Sequence, residues 1–343
     1  MKSKLINSII SKKFNDFLES IKDPHVKALV KENSIITGGS IVSLLLNEEV
    51  NDYDIYFTNK ETVKAVAEYY CNEFNVNNKD KKNRLGKNIN AWVLDGEDVE
   101  LWKSGKKKIN ETHPNWDLGK YVIDNDIDNN VPVMLWNTDI DRIKVIVDSD
   151  GILEENIHDV LDDADSIDYK KLDEKEEEKK EKREKYRPVF LSSNAITLSN
   201  KIQLIIRFYG DANQIHKNFD FVHATCYWQS SNQHLELPSR ALEAIINKEL
   251  FYVGSKYPVC SIFRIKKFLK RGWNINAGQM LKICLQISEL DLKNIAVLED
   301  QLVGVDSVYF YEVINQIRNN NDPNTSIKNI DSAYLFSVID KIF

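Results

Sequence analysis

The chain has 343 residues, 42% hydrophobic and 29% charged, with a formal net charge of −7. That length and balance fit a soluble globular protein of about two domains with a sizeable core. The acidic balance argues against a general nucleic-acid coat, and no apolar run approaches the roughly 18 residues that a membrane span requires.

Residues 4 to 31 read as mostly helix. Leu5, Ile6, Ile9, Ile10, Phe14, Phe17, Leu18 and Ile21 recur at helical spacing, and Pro24 breaks the run. Asp16 and Glu19 follow too closely for a signal peptide, so this is an amphipathic helix expected to pack on the back of a sheet. The stretch from Ser34 to Phe57, SIITGGSIVSLLLNEEVNDYDIYF, organises what comes after. Ser34 to Thr37 is a short strand, Gly38-Gly39-Ser40 a tight turn and Ile41 to Leu46 the start of a helix. Asn51 to Phe57 is a second strand carrying Asp52 and Asp54.

Side chains alternate along a strand, so Asp52 and Asp54 share a face. Two adjacent carboxylates repel each other, and a divalent cation relieves the repulsion. Mg²⁺ favours a couple of carboxylates plus phosphate oxygens. The Gly38-Gly39-Ser40 turn offers backbone N–H groups at a helix N-terminus, a natural seat for phosphate. Together these are the equipment for phosphoryl or nucleotidyl transfer. The alternative is a plain turn with a strand-edge charge at Asp52.

Glu61 to Phe74 reads as a second amphipathic helix, and Asn77 to Asn88 as a polar loop. Ala91 to Leu94 and Val99 to Trp102 read as a hairpin closed by Asp95-Gly96, with Glu100 on its second strand. Residues 103 to 166 alternate short strand-like runs (Pro132 to Trp136, Ile143 to Val147) with polar turns. Residues 173 to 185 are wholly charged and read as an exposed helix or a disordered bridge. Asn194 to Leu198 and Ile202 to Phe208 read as a hairpin turning at Ser199-Asn200. Asp211 caps a short helix through Lys217, and Phe219 to Trp228 reads as a strand with Asp220 at its start.

Pro238 to Lys248 reads as a helix whose Arg240 is placed to reach phosphate. Ser261 to Arg271 reads as a helix stopping before Gly272. From Phe251 to Ser288 there is no Asp or Glu, while Lys256, Arg264, Lys266, Lys267, Lys270, Arg271 and Lys282 lie among Tyr257 and Trp273. Such a stretch is either a nucleic-acid surface or a solvated helix face. Helices are expected to continue through Val308 to Ile317 and Ala333 to Ile342. Four scattered cysteines, Cys71, Cys226, Cys260 and Cys284, without a Cys-x-x-Cys, fit a reducing cytoplasm. His223 and Cys226 read as buried side chains rather than zinc ligands.

The ordered set of strand, Gly-Gly-Ser, helix and Asp-x-Asp resembles the signature of the DNA polymerase β-like nucleotidyltransferase superfamily, in the form found in poly(A) polymerases and CCA-adding enzymes. Asn218-Phe219-Asp220-Phe221 resembles their Arg-Arg-Asp-Phe element without the arginines. Ile202 to Phe208 resembles the strand bearing a third carboxylate, with Gln203 at that place. Arg264 and Lys267 match base- and phosphate-contacting positions of their arginine-rich helix, with the register slipped by one residue. The pattern Asn-Ala-Ile-Thr, Ile-Gln, Arg and Phe-Asp is also similar to uncharacterised viral and fungal nucleotidyltransferase-like proteins, which implies a viral source.

The resemblance implies an α+β fold: a nucleotidyltransferase-type mixed β-sheet flanked by helices, then a helical C-terminal domain. The expected division is an N-terminal helix over 1–32, a catalytic domain over 33–232 with an insertion around 80–190, and a helical domain over 233–343. The expected function is metal-dependent transfer of a nucleoside monophosphate from an NTP to an acceptor hydroxyl, most simply an RNA 3′ end such as that of tRNA. The alternatives are an inactive binding protein on the same fold, or a transferase acting on a protein or small molecule. Asp52, Asp54 and Asp220 are expected to bind Mg²⁺ or Mn²⁺, with Glu100 the rival third carboxylate. Gly38, Gly39, Ser40, Arg240, Arg264 and Lys267 are expected to hold the nucleotide.

Overall fold

The computed structural model describes residues 3–79, 90–104, 138–148 and 185–292, together with 297 and 301. The charged run 173–185 apart from its last residue, the strand expected over 132–136 and the helices expected beyond residue 302 lie outside these. The described chain is mixed α+β: a mixed sheet flanked by helices, with further helices toward the C-terminus.

Two helices open the chain, α1 (Ser3–Ser20) and α2 (Pro24–Asn33). They part where Asp23 caps the N-terminus of α2, accepting from the His25 and Val26 amides, with Pro24 in the first turn. Strand β1 (Ser34–Thr37) runs into helix α3 (Gly39–Leu46), and β2 (Tyr53–Phe57) returns antiparallel to β1. Helix α4 (Lys60–Asn78) follows, capped by the Asn59 side chain on the Thr62 amide.

The hairpin expected over 91–102 does not form. Strand β3 (Asn90–Asp95) leads directly into helix α5 (Gly96–Lys103), because Asp95 caps it through the Glu97 amide. The strand partner of β3 is β4 (Ile143–Asp148), in a separate two-stranded sheet. Asp95 also draws in Lys60 and Lys64, at 2.9 and 2.8 Å, which fixes this unit to α4.

The main sheet has seven strands in the order β5-β6-β7-β2-β1-β8-β9: β5 (Pro188–Leu191), β6 (Ala195–Leu198), β7 (Ile202–Tyr209), β8 (Tyr227–Gln229) and β9 (His234–Glu236) join β1 and β2. Among the described residues only the central β2–β7 pairing of this sheet is parallel; the others are antiparallel. The expected β6–β7 hairpin forms, turning through Asn200 and Lys201, both at positive φ. The expected strand 219–228 instead begins as a 3₁₀ turn (Val222–Thr225) and becomes extended only at β8. Phe221 is held there by a bridge to Tyr252, and the Val222 amide donates to the Phe251 carbonyl.

Period-2 alternation assigns the two faces. Ile196, Leu204, Ile55, Ile36 and Trp228 occupy adjacent register positions and are all fully buried on one face. Phe14 of α1 lies 5.1 Å from the Trp228 ring, and Phe17 lies 5.8 Å from Tyr186. This is the main core. The other face carries Thr197, Gln203, Asp54 and Thr37 in one row, and Ile35 and Tyr56 in the next. The short helix α6 (Ala212–His216), started by an Asp211–Gln214 capping box, packs Ala212 and Ile215 on the second row.

Three helices close the described chain: α7 (Ser239–Asn247), α8 (Pro258–Lys270) and α9 (Ala277–Ser288). Among the described residues no helix is long and apolar enough to cross a membrane. Phe14 is the test of the α1–sheet contact. Phe14→Ala is expected to lower unfolding free energy by about 3–5 kcal/mol, the cost of emptying an aromatic core position, as read by urea denaturation.

Candidate functional site

The site begins at the end of β1. Gly38 takes φ +89°, a region that favours glycine, and turns the chain from strand into helix α3. A Cβ there would lie 3.3 Å from Asp54 Oδ2, so the turn passes directly against that carboxylate. A Cβ at Gly39 would meet nothing within 4 Å, which leaves room for a ligand over the first turn. Gly38 gives α3 no side-chain cap. The Gly38 amide is itself spent on the Ala224 carbonyl at 3.1 Å, so the amides open to phosphate are those that follow it. Ser40 is 2% exposed, and its hydroxyl has no hydrogen-bond partner.

The 3₁₀ turn holds this loop in place. Thr37 Oγ1 donates to the Cys226 carbonyl at 2.8 Å. With its one proton committed, it accepts from His216 Nε2 at 2.9 Å. Burial lowers the His216 pKa to about 4, so this imidazole is neutral near pH 7.

Asp54 sits on β2 between Thr37 of β1 and Gln203 of β7. Asp52 precedes the strand by one residue and shares the face of Asp54. No hydrogen bond or ion pair reaches Asp54 from the described residues. Burial raises the pKa of Asp54 well above the ordinary 3.8, and repulsion from Asp52 adds to it; Lys267 and Arg264 oppose the rise. Burial raises Asp52 as well, against Lys267, its own backbone amide and Lys201. The pair is therefore desolvated, self-repelling and faced by cations that stop short of pairing with it. Tyr56, two residues along the same face, lies in the field of the same groups. Burial and then Asp54 raise its pKa well above 10.0, which keeps it a hydroxyl donor.

The other expected site residues divide. Lys267 and Arg264, on α8, do face the carboxylate pair. Asp220 is engaged by α8: Arg264 Nη1 donates to Asp220 Oδ2 at 2.7 Å, and Ser261 Oγ donates to the same oxygen at 2.9 Å. It is a buried post that seats α8. Glu100 lies on helix α5 and pairs with Lys103 at 2.8 Å. Among the described residues no group of three or more His, Cys, Asp or Glu could hold a metal. The expected three-carboxylate set is thus a two-carboxylate one. Arg240 is exposed and lines a different pocket, of about 340 Å³, with Tyr252, Val253, Gly254, Lys282 and Gln286. His223 is packed among Phe221, Phe268 and Trp273, and no metal role follows for it.

Sequence reasoning missed Tyr56, Lys201, Thr197 and the pin that holds the far end of α8. There Arg271 pairs with Glu48, which Lys248 also approaches at 3.5 Å, and Arg271 donates to Ser43 Oγ at 3.3 Å. The period-2 spacing of Tyr56 from Asp54 was the available signal for the first. The pin joins residues more than 200 positions apart and left no local trace.

The raised carboxylates give a stability prediction. Between 3.8 and their raised values the folded state binds more protons than the unfolded one, so these groups make stability fall as pH rises through that window. Asp54→Asn is expected to raise the melting temperature at pH 7 by on the order of a few °C, with a smaller gain at pH 5, in paired thermal melts.

No curated protein and no solved structure matches the chain. One family does: residues 8–248 match the model described as Gabija anti-defense 2 family protein. This overturns the assignment to the DNA polymerase β-like superfamily and to the poly(A) polymerase or CCA-adding group, since the matching family is neither. The Gly-Gly-Ser and Asp-x-Asp spacing is a likeness over some twenty residues, whereas the match covers more than half of the chain. The chain belongs to the Gabija anti-defense 2 family.

Proposed function

We propose that the chain is a metal-dependent nucleotidyltransferase whose product counteracts a defence system. The carrying observation is the unpaired, desolvated Asp52–Asp54 couple set against the Gly38–Ser40 turn and faced by Lys267 and Arg264. These residues fit a divalent cation. Two hard carboxylate oxygen donors lie on one face, their mutual repulsion unrelieved, beside an orphaned Ser40 hydroxyl. Asp52 and Asp54 would hold Mg²⁺ or Mn²⁺, which supplies Lewis-acid charge to the α-phosphate of a bound NTP.

The protein's own groups supply the rest. The first-turn amides of α3 and the Ser40 hydroxyl hold the terminal phosphates, at the positive end of the helix. Lys267 and Arg264 neutralise charge that builds on the leaving pyrophosphate. The acceptor oxygen bonds to the α-phosphorus, the α–β bridging P–O bond breaks, and the acceptor proton passes to Asp54 or to water. The RNA 3′ end expected earlier loses its support with the poly(A) polymerase likeness. The family description directs the search instead to hydroxyls on components of the opposed defence system, protein side chains included.

A second reading, a non-catalytic binding protein, draws on Gln203. A neutral amide stands beside Asp54 where a carboxylate would complete a stronger metal site. A labelled-nucleotide assay separates the two. Wild type is expected to transfer label from one of the four NTPs, with Mg²⁺, to a macromolecule in lysate carrying the defence system, and Asp52→Ala/Asp54→Ala is expected to transfer none. Equal labelling by both proteins would sink the proposal, as would Mg²⁺-independent labelling.

A further inference from the structure

We infer that Gln203 is a metal ligand: its side-chain amide oxygen is the third protein donor to the divalent ion held by Asp52 and Asp54, and Thr197 orients that amide. The inference rests on the carboxylate-pair reading above and assigns it a composition.

Asp54, Gln203 and Thr197 occupy consecutive register positions on β2, β7 and β6. Neighbouring strands lie about 4.8 Å apart, so side chains on the same face abut. Gln203 is 7% exposed and Thr197 1%. Buried polar groups are normally hydrogen-bonded, and these are not. The Thr197 hydroxyl has no partner. No hydrogen bond joins Gln203 to Asp54 either, although an amide N–H beside a carboxylate is a ready donor. Three oxygen-bearing side chains thus stand in a row, Asp54 half-buried and Gln203 and Thr197 buried, none bonded to the next. Ser40 adds a fourth unpartnered oxygen beyond the Gly38 turn.

A cation resolves this arrangement. With the ion on the Asp54 side, the Gln203 amide places Oε1 toward it, which turns Nε2 toward the Thr197 hydroxyl as acceptor. The Thr197 hydroxyl then gains its partner. The alternative orientation, Nε2 toward Asp54, would also let the Thr197 hydroxyl donate to Oε1, but it brings no positive charge to the two carboxylates. The composition also fixes the charge. Two carboxylates and one amide carry −2, which balances one divalent ion; a carboxylate at position 203 would carry −3. Remaining coordination positions fall to water and nucleotide phosphate, as hard cations prefer.

Titration with Mn²⁺, followed by the loss of the free-ion electron paramagnetic resonance signal, tests this without any acceptor. Wild type is expected to take up one ion. Gln203→Leu is expected to weaken uptake by about tenfold or more, in the range seen when groups supporting a metal are removed. Gln203→Glu is expected to tighten it, and Thr197→Val to weaken it a few-fold. Gln203→Met, flexible and similar in length, serves if circular dichroism shows that the leucine variant does not fold. Unchanged affinity in the Leu (or Met) and Glu variants, with uptake lost in Asp54→Asn, overturns the ligand role and leaves the carboxylate pair standing. Unchanged affinity in Thr197→Val alone overturns the orienting role. No Mn²⁺ uptake by wild type at millimolar metal, with or without an NTP, overturns the carboxylate-pair reading itself.

Discussion

The structure turns on a repulsion it does not relieve. Asp52 and Asp54 are kept close, half-buried on one face, and among the described residues no side chain of opposite charge pairs with either. Such an arrangement persists only where other interactions fix the strand that carries it. Strand β2 has that support. It lies at the centre of seven strands, paired on both edges, and its opposite face contributes Tyr53, Ile55 and Phe57 to the main core. Burial of those side chains, at about 25 cal/mol per Å² of apolar surface, can hold the carboxylates where they are unfavourable.

Helix α8 brings the opposing cations, and its placement shows how a buried charge can serve geometry. Asp220 could not remain buried as a charge without partners. Ser261 and Arg264 supply them, three residues apart on one face of α8, so the start of the helix is fixed in rotation. Arg271, one turn beyond Lys267, is fixed to Glu48 and Ser43 at the end of α3. Between these two attachments lies Lys267, with a free ammonium facing the carboxylates. Arg264 divides its charge between Asp220, which it bonds, and Asp54, which it only approaches.

Much of this was legible in the sequence where the signal is local. Helical periodicity placed α1, α4 and α8, and the Gly-Gly-Ser turn and paired aspartates marked the site. The misreadings share one cause. Asp95-Gly96 was read as a hairpin turn, but the same aspartate caps a helix, and local chemistry does not choose between the two. Phe219 to Trp228 had strand composition, yet Phe221 and Val222 bond to the segment around Phe251 and Tyr252, thirty residues away. The partners of Asp220 on α8, forty residues distant, likewise leave no local trace. The family itself was misjudged for a related reason: a short motif can be matched over some twenty residues while the longer stretch that decides descent goes unread.

The parallel β2–β7 pairing makes the segments between its two strands part of the site's support. A parallel neighbour cannot be reached by a tight turn, so the chain must leave the sheet after Phe57 and cross before β7 begins at Ile202. Among the described residues that crossover is tied back to the sheet at several points: α4 adds Val63, Val66 and Tyr70 to the main core, Arg142 donates to the Arg207 carbonyl at 3.0 Å, and Tyr209 donates to the Asp141 carbonyl at 3.1 Å. The two exit points are fixed by the register Tyr53–Ile202 and by the Tyr53 amide on the Lys201 carbonyl at 2.9 Å. Changes in the described parts of the crossover would therefore be felt at β7, the strand that sets Gln203 beside Asp54.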